Sequence, residues 1–428
     1  MLNHASHEPD PRDGRRPFVD RFLAVREQSE QLAARLMPED QVVQSMPDCS
    51  PAKWHLAHVT WFFETFLLVP HQVGYRPVHP QFAYLFNSYY IAAGDRYPRA
   101  QRGLLTRPTV AEVDAYRRQV SAAMVDLLES ADDARWSALA PLVETGINHE
   151  QQHQELLLMD ILNLFSRNPL RPAFAPRRPA PPTPAGPPAW ITFEGGIRSI
   201  GHDGAGFAYD NEGPRHDALL RPFRLASRPV DNGEWQDFID DGGYQRPELW
   251  LSDGWATVEA EGWRAPLYWE RMDAGWSSMT LSGLHPVERS APVCHVSHYE
   301  ADAFARWAGQ RLPTEAEWEV ASHACATDGN FLDSGLLRPV AGMEDGSTPA
   351  QMFGDVWEWT GTPYGPYPGY RPPSGAIGEY NGKFMANQMV LRGGCCVTPD
   401  GHIRRSYRNF FYPHQRWAFA GVRLAEDA

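Results

Sequence analysis

The 428-residue chain has few cysteines, no long apolar run and no block of basic charge. Its five cysteines are Cys49, Cys294, Cys325, Cys395 and Cys396, an odd number with no C-x-x-C spacing. This argues against a disulfide scaffold and for a reducing, cytoplasmic setting. No stretch reaches the ~18 consecutive apolar residues that a membrane helix needs, and the first residues, "MLNHASHEPDPRDGRRPF", contain no apolar signal core. Acidic residues outnumber basic ones by 53 to 39, for a net charge of -14. Nucleic acid and anionic membrane surfaces are therefore excluded as expected partners.

Proline is abundant and concentrated. "PAFAPRRPAPPTPAGPPAW" (Pro172–Trp190) cannot form a helix or a central strand and reads as a semi-rigid linker between unlike halves. The first half is helical. In "RPFVDRFLAVREQSEQLAARL" Phe18, Phe22, Val25, Leu32 and Leu36 follow a 3.6-residue period. Ser50 and Pro51 read as cap and first-turn proline of a second helix, and Thr109 with Glu112 makes a capping box for a third. A fourth helix is expected from about Ala138 to Phe165. These elements predict a bundle whose long connection, about Pro70 to Pro108, is too long to be inert. The second half is rich in Gly, Pro, Trp and Tyr and reads as irregular α+β. Only "YEADAFARWAGQ" and "TEAEWEVASHA" look helical in it.

The fourth helix contains "NHEQQHQELLL", an H-E-x-x-H pattern that puts His149 and His153 on one face, with Glu150 between them. Zinc peptidases use this spacing, but a metal needs a third ligand. Nothing downstream fits well: "LLMDILNLFSRNPL" offers Asp160 on the same helix, and the linker follows. "WHLAHV" on the second helix offers His55 and His58, and either could complete the set. Three imidazoles suit zinc or non-haem iron. The alternative is a pair of histidines packed inside a bundle.

"LAHV" together with "NHEQQHQE" resembles the DinB-type helical domain of the iron-dependent sulfoxide synthases of ergothioneine biosynthesis. In the second half, "APVCHVSHYEADAFARWAGQRLPTEAEWEVA", "MFGDVWEWTGTPY", "VLRGGCC" and "FAGVRL" resemble their formylglycine-generating-enzyme-like (C-type-lectin-like) domain. The resemblance implies a four-helix DinB-like bundle over residues 1–171, a linker over 172–189 and the α+β substrate-binding domain over 190–428. It implies Fe(II) bound by His58, His149 and His153, with His55 structural and Glu150 a supporting or surface carboxylate. The reaction implied joins the thiol of a cysteine-type donor to imidazole C2 of N-α-trimethylhistidine (hercynine). C–S bond formation removes two electrons and sulfur oxidation two more; O2 accepts all four, one oxygen ending on sulfur and one in water.

One branch of the family carries its proton-donating tyrosine just before "EY" in the second domain; here "PPSGAIGEYNGKF" has Ile377 near that place. Another branch uses adjacent tyrosines in the bundle's connection, which implicates Tyr89 and Tyr90 in "FNSYYIAAGDRYPRAQRG". Arg99 and Arg102 of the same segment match the arginines that bind the donor's carboxylate. For hercynine, the resemblance implies Asn409 and Phe410 at the trimethylammonium group and Gln152 and Tyr380 at the imidazole. Phe411 stands where users of γ-glutamylcysteine carry an acid, which points to free cysteine as donor. Cys395 and Cys396 are expected on a strand, facing opposite ways and structural. The rival readings are an ovothiol-type synthase, whose relatives usually carry an added methyltransferase domain, and a zinc-dependent peptidase or thiol transferase.

Overall fold

The computed structural model describes residues 15–180, 186–343, 346–373 and 375–428. The described residues divide into two compact units, one of residues 15–157 with 375–377, the other of those from 158 to 373 and from 378 to 428.

Four long helices organise the first unit: α1 (Arg16–Ala33), α2 (Ala52–Phe63), α4 (Val110–Ser130) and α5 (Asp133–Ser166), the last continuing into the second unit, with a short α3 (Phe82–Phe86) in the connection. Every residue of α2 is buried, including Lys53, His55, His58 and Thr60 among its apolar side chains. It lies against α4, and α1 lies against the same helix. The start of α2 differs from expectation. Pro51 is itself the N-cap, extended and without a side-chain cap. The Ser50 hydroxyl instead accepts a hydrogen bond from Arg102 Nη1 at 2.9 Å. At its far end α2 widens into a π-helical turn, Glu64–Leu68. There buried Glu64 accepts hydrogen bonds from the Tyr75 and Tyr116 hydroxyls and the Val78 amide. The capping box of α4 is present as expected, with Thr109 and Glu112 bonded to each other's backbone amides.

Helix α5 starts at Asp133, one turn before the expected Ala138. The Asp132 carboxylate accepts from the Arg135 amide and ends the helix there, while Pro141 is tolerated inside it.

The second unit is built on small sheets. The central one has strands β8 (Trp357–Pro363), β9 (Met389–Arg392), β10 (Asn409–Phe411) and β11 (Ala420–Gly421) in the order β10-β9-β8-β11, with β11 parallel to β8. The motif "WEWT" is β8, whose Trp357 and Trp359 are buried. Between them, Glu358 pairs with Arg423 of "GVRL" and accepts from Trp318 Nε1 at 2.7 Å, so three sequence motifs meet at one carboxylate. Gly393 has φ 101° and approaches the Met352 carbonyl so closely that a Cβ would lie 2.5 Å from it. Strands β5 (Trp269–Met272), β6 (Gly275–Thr280) and β7 (Gly283–Pro286) form an antiparallel meander. The remaining sheets join Trp190–Phe193, Phe223–Ala226 and Ala425–Asp427, and pair Gly196–Ile200 with His216–Leu220.

Two further helices, α6 (Asn232–Asp240) and α7 (Ser252–Glu261), precede the expected α8 (His298–Trp307) and α9 (Glu315–Ser322). A glycine in the first turn hides each of the extra pair, although Asp231 and Glu234 form a capping box on α6 that the sequence displays openly. Cys395 and Cys396 do not lie on a strand: β9 ends at Arg392, and the two buried cysteines follow the glycine pair in a turn. The proline-rich segment begins as a packed strap. The Phe174 and Ala175 amides both donate to the Leu281 carbonyl, and both side chains are buried.

Candidate metal centre

His58 projects from α2, and His149 and His153 from α5; one ligand atom from each lies within 4.8 Å of the others. This is the one such cluster among the described residues. His58 Nδ1 lies 2.6 Å from the Phe86 carbonyl at the end of α3. A carbonyl can only accept, so Nδ1 carries the proton and Nε2 is left as a lone pair. That Nε2 is 3.2 Å from His149 Nε2. His153 Nδ1 is 2.8 Å from His55 Nδ1, so His55 is a direct partner of the cluster. One imidazole of that pair must donate and the other accept.

Burial holds all three imidazoles neutral, which is the ligand form. The His149 pKa is pushed down to about 3 by desolvation, against a weaker opposing pull from Glu150. His58 is lowered by burial first and then by His149, and His153 by burial and then by His149 and His58. The indole of Trp54 stacks on His58 at 4.7 Å and 10°, and the Arg102 guanidinium lies 3.3 Å over that indole. Three neutral nitrogen donors on two facing helices fit a divalent transition metal that needs positions open to other ligands.

Glu150 takes no part in this cluster. It is fully buried, and its oxygens accept from Arg26 Nη1 (2.9 Å), Arg117 Nη2 (2.9 Å) and Ser29 Oγ (2.7 Å). It is neither a surface carboxylate nor a base facing the histidines, because one residue along a helix is a turn of about 100°. Arg26 also reaches Thr60 on α2, so this carboxylate ties α1, α2, α4 and α5 together. Asp160 accepts from Trp417 Nε1 at 3.1 Å.

The long connection carries the other first-unit candidates. Tyr90 is buried among Trp61, Phe62 and Phe66. Tyr89 is half-buried and stacks on Tyr90 at 4.6 Å, the two hydroxyls 3.5 Å apart. Arg102 is buried, whereas Arg99 is exposed and donates to the Asp48 carbonyl. Gln152 is half-buried on α5 beside His153.

In the second unit Tyr380 is buried and stacks on Tyr209 at 5.0 Å. Asn409, Phe410 and Phe411 form β10 and are each half-buried. One face of Phe410 stacks on Tyr364 at 4.1 Å, while Phe411 meets the edge of Trp417. Ile377, which groups with the first unit, lies in the short turn Ala376–Glu379. What the sequence reading missed is the role of His55 as a partner of His153, together with Trp54 and the Phe86 carbonyl. His55, three residues before His58 on the same helix, had the spacing to be found.

Residues 21–157 match the DinB superfamily, and residues 177–346 and 338–428 match the sulfatase-modifying factor enzyme 1-like domain. Fold and histidine cluster thus define a two-part enzyme, a DinB-type helical unit followed by a sulfatase-modifying-factor-type α+β unit. The chain is 33% identical over 416 residues to the hercynine oxygenase of Mycolicibacterium smegmatis, covering 90% of this chain and 92% of that one. It is 35% identical over 409 residues to the hercynine oxygenase of Mycobacterium tuberculosis, covering 89% and 92%. The formylglycine-generating enzyme of Streptomyces coelicolor is 28% identical over 308 residues, covering 59% of this chain and 95% of that one. The chain belongs to the hercynine oxygenase family and is an oxidoreductase of the oxygenase type.

Proposed function

We propose that this enzyme is an iron(II)- and O2-dependent sulfoxide synthase that joins the thiol of cysteine to imidazole C2 of hercynine, giving hercynylcysteine sulfoxide. The observation that carries the reading is the convergence of His58, His149 and His153 in a chain similar over nine-tenths of its length to hercynine oxygenases. Iron, when bound by these imidazoles, supplies the redox capacity that a four-electron oxidation by O2 demands and that zinc lacks.

The chain's own residues do the rest. The Phe86 carbonyl fixes the His58 tautomer, and His55 orients the His153 ring through their Nδ1 contact. Arg102, buried and charged, takes the donor's carboxylate; its stack on Trp54 holds the guanidinium plane. Arg99 supports it from the exposed side of the same turn. The Tyr89 and Tyr90 hydroxyls hold the proton to be delivered, and the apolar rings around Tyr90 keep water from it. Asn409 and Phe410 bind the trimethylammonium group, and Gln152 and Tyr380 the imidazole. Phe411 offers no negative charge to the α-ammonium of γ-glutamylcysteine, which favours free cysteine as donor.

The test is anaerobic reconstitution with Fe(II), addition of hercynine and cysteine, and admission of O2, followed by oxygen uptake and product mass. Stoichiometric uptake with a sulfoxide product is expected. Equal turnover with Zn(II), or none with Fe(II), refutes the reading. A preference for γ-glutamylcysteine refutes the donor assignment alone, and turnover of unmethylated histidine supplied in place of hercynine, with the bond at another ring carbon, favours the ovothiol-type reaction.

A further inference from the structure

A cleft lies within the second unit, between the proline-rich strap and the β5–β6–β7 meander. It is half open to solvent and lined by both charged and apolar side chains. None of the assigned metal, tyrosine or substrate residues lines it.

Its charged lining is unbalanced: two arginines, Arg177 and Arg338, face one acid, Glu288. Arg177 donates to Glu288 Oε1. Arg338 Nη2 is 3.8 Å from the same oxygen, too far for a hydrogen bond. Arg338 is 6% exposed; its Nη1 donates to the Arg178 carbonyl, and its Nε has no partner among the described residues. The Arg338 pKa is lowered, by burial first and Arg177 second, as expected of a guanidinium short of negative charge. His295 adds no acid and is held neutral by burial. Trp269 and Met279 make an apolar wall, and His285, whose Nε2 donates to the Ser282 carbonyl, turns its Nδ1 into an acceptor.

We propose that this cleft is a binding site for a small organic monoanion, a carboxylate with an apolar body. The carboxylate pairs with Arg177 and with the Arg338 guanidinium, whose Nη2 lies 3.8 Å from Glu288 without bonding it, and the apolar body lies on Trp269 and Met279. The single surplus positive charge matches a monoanion better than phosphate, whose second charge would meet Glu288.

Calorimetric titration of the full chain with benzoate, benzamide and inorganic phosphate tests this. Saturable one-to-one binding of benzoate is expected, with benzamide and phosphate each at least tenfold weaker. Arg338→Gln and Arg177→Gln should each weaken benzoate at least tenfold. Arg177 is partly exposed, so its variant keeps the test valid if Arg338→Gln disturbs the strap. Arg102→Gln should leave benzoate binding unchanged. Absence of saturable benzoate binding, equal binding of benzamide, tighter binding of phosphate, or loss of benzoate binding in Arg102→Gln alone overturns the proposal. No iron, O2 or hercynine enters the experiment, so its failure leaves the sulfoxide synthase reading untouched.

Discussion

Replacing Glu150 by Gln separates two meanings of the H-E-x-x-H pattern. In a peptidase the glutamate is the base, and its amide variant folds normally but is dead. Here Glu150 neutralises two buried guanidinium groups, those of Arg26 and Arg117, each at 2.9 Å. Removing one partner of a buried pair costs about 3–5 kcal/mol, because the remaining charge stays desolvated. With a urea dependence of about 2 kcal/mol per molar, the first loss of helical circular dichroism in the full chain should move down by roughly 2 M. The interaction also fixes a pH window. Burial alone would raise the Glu150 pKa, but the Arg26 and Arg117 charges outweigh it and hold the group below its usual 4.5. A carboxyl depressed in the folded state stabilises above its unfolded pKa and loses that contribution as pH falls through the folded one. The gap between wild type and Glu150→Gln should therefore be full near neutrality and close in acid below about pH 4.5. A double-mutant cycle with Arg117→Met should show coupling of about 0.5–3 kcal/mol. A variant that keeps its urea midpoint while losing all activity would refute this account and return Glu150 to catalysis.

The remaining expectations concern the histidine cluster and its surroundings. His58→Ala should abolish stoichiometric iron binding by elemental analysis while the helical content is retained. His55→Phe should weaken iron affinity by about 10–100-fold, the usual effect of losing a residue that orients a metal-bound histidine; unchanged affinity would make the His55–His153 contact incidental. Tyr89→Phe and Tyr90→Phe should both bind iron, and at least one should lose sulfoxide formation; full activity in both would end the tyrosine assignment. Arg102→Lys should raise the cysteine KM, because an ammonium reproduces neither the planar fork nor the stack on Trp54, and an unchanged KM would place the donor's carboxylate elsewhere.

The sequence by itself determined the helical first half and the α+β second half, through residues that act locally. The 3.6-residue spacing put His149 and His153 on one face, and Thr109 with Glu112 marked where α4 begins. Helix α6 was equally legible through Asp231 and Glu234, and was obscured only by the neighbouring glycine. What spacing left open was decided in three dimensions. His55 and His58 were equivalent candidates along the chain. The crossing of α2 with α5 sends His58 into the cluster and sets His55 Nδ1 against His153 Nδ1. Glu150 lies between two metal-site histidines in sequence, yet the 100° step of the helix turns it toward Arg26 and Arg117, residues 124 and 33 positions away along the chain. Local propensity cannot encode such pairings. A buried charge is tolerated only where distant residues arrive to neutralise it, and that arrival is a property of the packed structure.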